Sequence, residues 1–111
     1  MPRSSKPSFQ LWMLPAVHNV RQRLPGDVRN RIAQLIEQLQ VTPRPANSIT
    51  LTLSDSVPEQ VRTEWEVRRI RIDDWRIIYA VNETWREIGV LTIRQRPPYD
   101  YSDLVQLLAD L

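Results

Sequence analysis

The sequence predicts an α+β fold: a single small antiparallel sheet with two N-terminal helices packed on one face and a short C-terminal helix, in the order β-α-α-β-β-β-α. Three observations predict it. Val28, Ile32, Leu35, Ile36 and Leu39 recur at helical spacing, an apolar stripe that must be buried. Residues 65–81, W-E-V-R-R-I-R-I-D-D-W-R-I-I-Y-A-V, alternate as two strands about an acidic pair. Residues 87–94 alternate again and a leucine repeat closes the chain, so the strands cluster late.

At 111 residues the chain has room for one core, expected over residues 9–111 behind a disordered lead-in at 1–8. Its 41% hydrophobic and 25% charged fractions are those of a soluble globular protein. No run approaches the roughly 20 apolar residues of a transmembrane helix, so no membrane association is expected. The start, M-P-R-S-S-K-P-S, is too short and polar for a secretory signal, which points to the cytoplasm. Without cysteine there are no disulfides, thiolate nucleophiles or cysteine zinc sites, and one histidine cannot build a multi-histidine site; no metal or cofactor is expected. The net charge of +2 is assembled from 14 arginines and a single lysine, Lys6. Arginine favours planar, bidentate contact with phosphate or carboxylate. Most of the 14 are expected to be solvated or paired with the 13 acids.

In order, residues 9–14 alternate weakly as a first strand that Pro15 ends. A short helix follows over 16–23, with His18 on it and no acid or nucleophile nearby in sequence. Pro25 opens the second helix, Asp27 complements its N-terminal dipole, and Pro43 and Pro45 close it. Residues 49–53 can form a short strand, and S-D-S-V-P-E-Q reads as a loop. In the first strand of the central pair, Val67, Arg69 and Arg71 share one face and Arg68, Ile70 and Ile72 the other. Asp73-Asp74 has the length of a two-residue turn, with Asp74 expected to take the positive φ. Trp75, Ile77, Tyr79 and Val81 then alternate with Arg76, Ile78 and Ala80; apolar on both sides except at Arg76, this strand is expected to be central. In the last strand Ile88, Val90, Thr92 and Arg94 alternate against Gly89, Leu91 and Ile93, and Pro97-Pro98 stops it. Ser102 caps a terminal helix striped by Leu104, Leu107, Leu108 and Leu111. Leu35, Ile36, Ile70, Ile72 and Leu91 are expected to share one core.

The unit R-I-R-I-D-D-W-R-I-I-Y-A-V, the later G-V-L-T-I-R-Q-R-P-P-Y-D-Y and the helix start L-P-G-D-V-R-N-R-I together resemble the RelE/ParE superfamily of type II toxin-antitoxin systems, over roughly residues 9–105. The resemblance implies a small sheet with two N-terminal helices on one face. It implies a toxin held by a cognate antitoxin in a toxin-antitoxin hetero-oligomer. The best-known branch is an endoribonuclease, an mRNA interferase that cleaves messenger RNA, often on the ribosome, and so inhibits translation. By the same resemblance, Arg76 matches the arginine that contacts the scissile phosphate, and Arg69 and Arg71 match RNA-binding basic positions. Arg94 or Arg96 matches the second functional arginine, and Tyr99 or Tyr101 the C-terminal tyrosine. Asp73 departs from the usual small turn residue, and the lysines used by some members are missing.

Metal-free cleavage uses the RNA's own 2′-hydroxyl as nucleophile, a group to take its proton, cations around the phosphorane and a proton for the leaving 5′-oxygen. Arg76 with Arg94 or Arg96 supplies the cationic cradle, the electrostatic part that usually dominates. Arginine, with a pKa above about 12, carries no proton, which leaves Tyr99 or Tyr101 for proton transfer or base stacking. Two readings compete with the ribonuclease: a ParE-like inhibitor of DNA gyrase, which cleaves nothing, and a non-catalytic antitoxin-binding module. The arginine cluster is needed only by the first. Arg76→Ala is expected to abolish cleavage while sparing the fold.

Overall fold

The computed structural model describes residues 8–95, 104–109 and 111. Strand β1 (Gln10–Met13) leads into helices α1 (Pro15–Arg23) and α2 (Gly26–Leu39). A short β2 (Ser48–Thr50) and helix α3 (Glu59–Glu64) precede the meander β3 (Glu66–Ile72), β4 (Trp75–Asn82) and β5 (Glu87–Gln95), and α4 (Leu104–Leu107) follows. The five strands form one sheet in the order β1-β5-β4-β3-β2.

The α+β class and the central place of β4 follow the expectation; the strand pairing and the stretch before β3 depart from it. The sheet is mixed rather than antiparallel, because β1 pairs with β5 in parallel, Leu11 opposite Ile88. Hairpin turns fix the directions of β3, β4 and β5, whereas β1 reaches β5 from the far end of the chain and no turn constrains it. The stretch before β3 is not all loop: Pro58 precedes α3, and Val61 is buried from it. Six residues are too short for a helical period to show in sequence.

Both faces of the sheet are covered. On one, Val17 of α1 and Val28, Ile32, Ile36 and Leu39 of α2 pack against Ile70, Ile72, Ile77, Tyr79, Val81, Ile88 and Val90. On the other, Val57, Val61 and Trp65 meet Val67, Ile78, Ala80, Leu91 and Leu108. The expectation of one shared core therefore fails at Leu91, which lies in the second cluster, and Leu35 is only partly buried. Strand β4, buried on both faces, separates the two cores.

The turn at Asp73 and Asp74 has two residues, with Ile72 opposite Trp75. The positive φ falls on Asp73, at 50°, not on Asp74. Asp73 holds that position while its carboxylate accepts a hydrogen bond from Arg31 of α2 at 2.7 Å. The ordered turn thus ties the hairpin to the helical layer.

Candidate nucleic-acid interface

Register builds the site. Arg71 of β3 stands opposite Arg76 of β4, and Arg76 stands opposite Arg94 of β5. Directly paired residues share a face, with side chains roughly 5 Å apart at their Cβ atoms. Arg71, Arg76 and Arg94 therefore form a row across three adjacent strands at the hairpin end. The face is the one away from α1 and α2, since Ile77 and Tyr79 point into the first core and Ile78 and Ala80 into the second. Arg69, beside Ile78, extends the basic surface by one row.

A bulge puts Arg94 there. Between Ile78 and Tyr79 the ladder shifts: Ile78 faces Thr92, Tyr79 faces Val90, and Leu91 is the extra residue. Without it, strict alternation would place Arg94 with Ile88 and Val90, beneath the helices. With it, Thr92 and Arg94 join Arg76, and Ile93 takes the buried side. Bulges re-aim side chains in this way and often occur beside functional sites. Sequence alternation could not find it, because L-T-I-R reads equally well in either parity.

Within the row, Arg71 is exposed, Arg94 is half-buried and Arg76 is 3% exposed. Arg76 donates from Nη1 to the carbonyls of Asp73 and Trp75, at 3.2 and 3.1 Å. It braces the turn as well as charging the face, so Arg76→Ala removes two hydrogen bonds to the turn along with the charge. Arg94 donates to the Thr92 hydroxyl at 3.5 Å. Arg69 Nε is buried without a hydrogen-bond partner among the described residues.

Several other arginines are engaged within the fold. Arg44 bridges Glu66 and Glu83, each at 2.7 Å. Arg68 joins Glu66, Ser48 and Thr50, tying β3 to β2. Arg62 donates to the Val57 carbonyl, and Arg86 lies over the Phe9 ring. Asp73 and Glu66, two of the acids close to the row in sequence, are thus engaged elsewhere. A cavity of about 460 Å³ lies near this network, lined by Arg44, Arg62, Trp65, Glu66 and Glu83 among others. Arg44 is taken up by Glu66 and Glu83, and the cavity is at the far end of β3 from the row. His18 is exposed on α1, in a shallow hollow with Arg21, Gln22 and Arg29. Tyr79 is buried and donates to the Pro43 carbonyl at 2.7 Å. Burial pushes its phenol up, so it serves the core and not proton transfer. Arg96, Tyr99 and Tyr101 lie outside the described residues.

No family model and no curated protein matches the sequence. Solved structures do match in shape. The chain superposes on the archaeal RelE in its complex with RelB from Pyrococcus horikoshii OT3 with a TM-score of 0.68 and 22% identity, covering 82% of this chain and 98% of that one. The fold is that of RelE toxins. The toxin-antitoxin complex RelBE2 of Mycobacterium tuberculosis gives a TM-score of 0.61 at 11% identity, over 80% of this chain and 99% of the matched one. A mutant RelE toxin of E. coli in the free state gives 0.56 at 15%, over 83% and 87%. The likeness spans 87–99% of each matched chain, so the α+β architecture with its mixed sheet is shared with RelE-like structures.

Proposed function

We propose that this protein is a RelE-like toxin acting in the cytoplasm, an endoribonuclease that grips messenger RNA on the Arg71, Arg76 and Arg94 row and is restrained by a cognate antitoxin. The observation that carries the reading is the in-register row on three strands, completed by a bulge. The RelE-like fold supports it, and two of the matched structures are toxin-antitoxin complexes. A phosphodiester lying across the strands meets a guanidinium at each, and a guanidinium can fork onto two phosphate oxygens. Arg76, held between them, adds fixed positive charge that needs no reorganisation as the phosphorane forms. The 2′-hydroxyl attacks the adjacent phosphorus, and the 5′-oxygen leaves and takes a proton. Among the described residues near the row none carries that proton, since arginine stays charged. In this proposal that role falls to Tyr99 or Tyr101.

The test is induced expression without antitoxin, following growth, translation, RNA integrity and gyrase activity together. The parent is expected to arrest growth and fragment mRNA with gyrase unaffected; Arg71→Ala and Arg94→Ala, which leave the turn brace intact, are expected to lose both effects. Arrest with intact RNA and inhibited gyrase would replace the ribonuclease with the gyrase-binding alternative.

A further inference from the structure

We propose that a tryptophan-lined hollow at the end of the sheet opposite the arginine row receives an arginine or lysine side chain carried on a peptide segment of a partner protein. Three of the chain's four tryptophans, Trp12, Trp65 and Trp85, line this hollow of about 350 Å³. Trp12 and Trp65 meet edge to face, their ring centroids 6.1 Å apart at 79°. Trp85, on the connection from β4 to β5, is 68% exposed. Closing the second core accounts for Trp12 and Trp65. It does not account for a third indole held at the rim, where it gains little from burial.

The polar groups define the occupant. Glu64 and Glu87 share the wall, and neither forms a salt bridge among the described residues. Glu87 Oε1 accepts from Trp12 Nε1 at 3.1 Å, which leaves its second oxygen to an incoming donor. Among the described residues, Glu64 accepts only from Gln60, at 3.3 Å. Indole faces and carboxylates attract the same thing, a cation, and a guanidinium or ammonium among several indoles gains from each. The same set repels phosphate, so the hollow complements the opposite end of the sheet rather than extending it.

Asn82 argues for a peptide rather than a free cation. It lines the hollow at 1% exposure; its Oδ1 accepts from the Trp85 backbone N–H at 2.9 Å, while its Nδ2 has no hydrogen-bond partner among the described residues. A buried amide donor left unmade is costly and calls for an acceptor. A peptide carbonyl supplies one, and an ammonium ion does not. The partly buried Leu107 offers an apolar wall for the methylene stem of a long basic side chain.

The experiment titrates the full chain with acetyl-Gly-Arg-Gly-amide, and separately with the citrulline peptide, its neutral isostere, while the indole N–H signals are followed by NMR. The arginine peptide is expected to shift the signals of Trp12, Trp65 and Trp85 and leave Trp75 in place, with the citrulline peptide at least about tenfold weaker. Trp85→Ala, which removes an exposed ring, and Glu87→Gln are each expected to weaken binding about tenfold at unchanged thermal unfolding. The proposal is overturned if the three indoles do not respond up to the solubility limit of the peptide, if citrulline binds as well as arginine, or if a folded Trp85→Ala binds like the parent. None of these outcomes depends on whether the arginine row binds RNA.

Discussion

A methyl group on Gly89 would collide with the Trp12 ring, which lies directly over the glycine from the parallel strand beside it. Gly89→Ala must push that ring off Trp65, and a loss of about 1–3 kcal/mol is expected in urea unfolding; unchanged stability would show that the ring has room to move. Glu66 carries a pH dependence. Burial alone would raise its carboxyl, but hydrogen bonds from Arg44, Thr50 and Arg68 outweigh that and hold it below the ordinary value of 4.5. A lowered folded-state pKa stabilises the fold above the unfolded value and loses the effect as pH falls through the folded one. Glu66→Gln should therefore cost stability at neutral pH, by no more than about 1 kcal/mol for so exposed a network. The gap to the parent should close progressively below pH 4.5. A gap that ignores pH would mean the carboxylate is not held by its charge.

At the scale of elements, the turn and α4 are the informative pieces. Asp73, at φ 50°, is the turn position that glycine suits. Asp74→Gly should cost about 0.5–1 kcal/mol through added freedom of the unfolded chain, while Asp73→Gly relieves the backbone at the expense of the Arg31 pair and comes out near neutral. The reverse order would place the left-handed residue at Asp74. Leu108, fully buried against the face opposite α1 and α2, makes the end of the chain part of the core. Leu108→Ala is expected to cost about 2–5 kcal/mol, and a much smaller loss would mark the segment as displaceable. Helix α2 and the β3–β4 hairpin were legible in the sequence because their periods are local and strong. The parallel pairing of β1, the six-residue α3 and the split into two cores were not, since each depends on partners far away in the chain. Arg76 was legible as a paired arginine in a central strand. The bulge that brings Arg94 opposite it was not, because an extra residue in an apolar run leaves no mark on composition or alternation.

Taken whole, the sheet is covered on one face by α1 and α2 and bears opposite chemistry at the two ends of the other. The hairpin end presents the arginine row; the far end presents indoles and carboxylates. Among the described residues no helix is long and apolar enough to cross a membrane. If the arginine row binds RNA as proposed, affinity should be dominated by phosphate binding and fall with salt. The most direct test is the salt dependence of binding of a single-stranded RNA to the parent and to the double variant Arg71→Ala, Arg94→Ala. If the row grips phosphates, the variant should bind more weakly at low salt, and the slope of log affinity against log salt should drop by about 0.7 for each phosphate no longer neutralised, about 1.4 in all. A folded double variant with the parent's affinity and slope would contradict the assignment of the row to RNA.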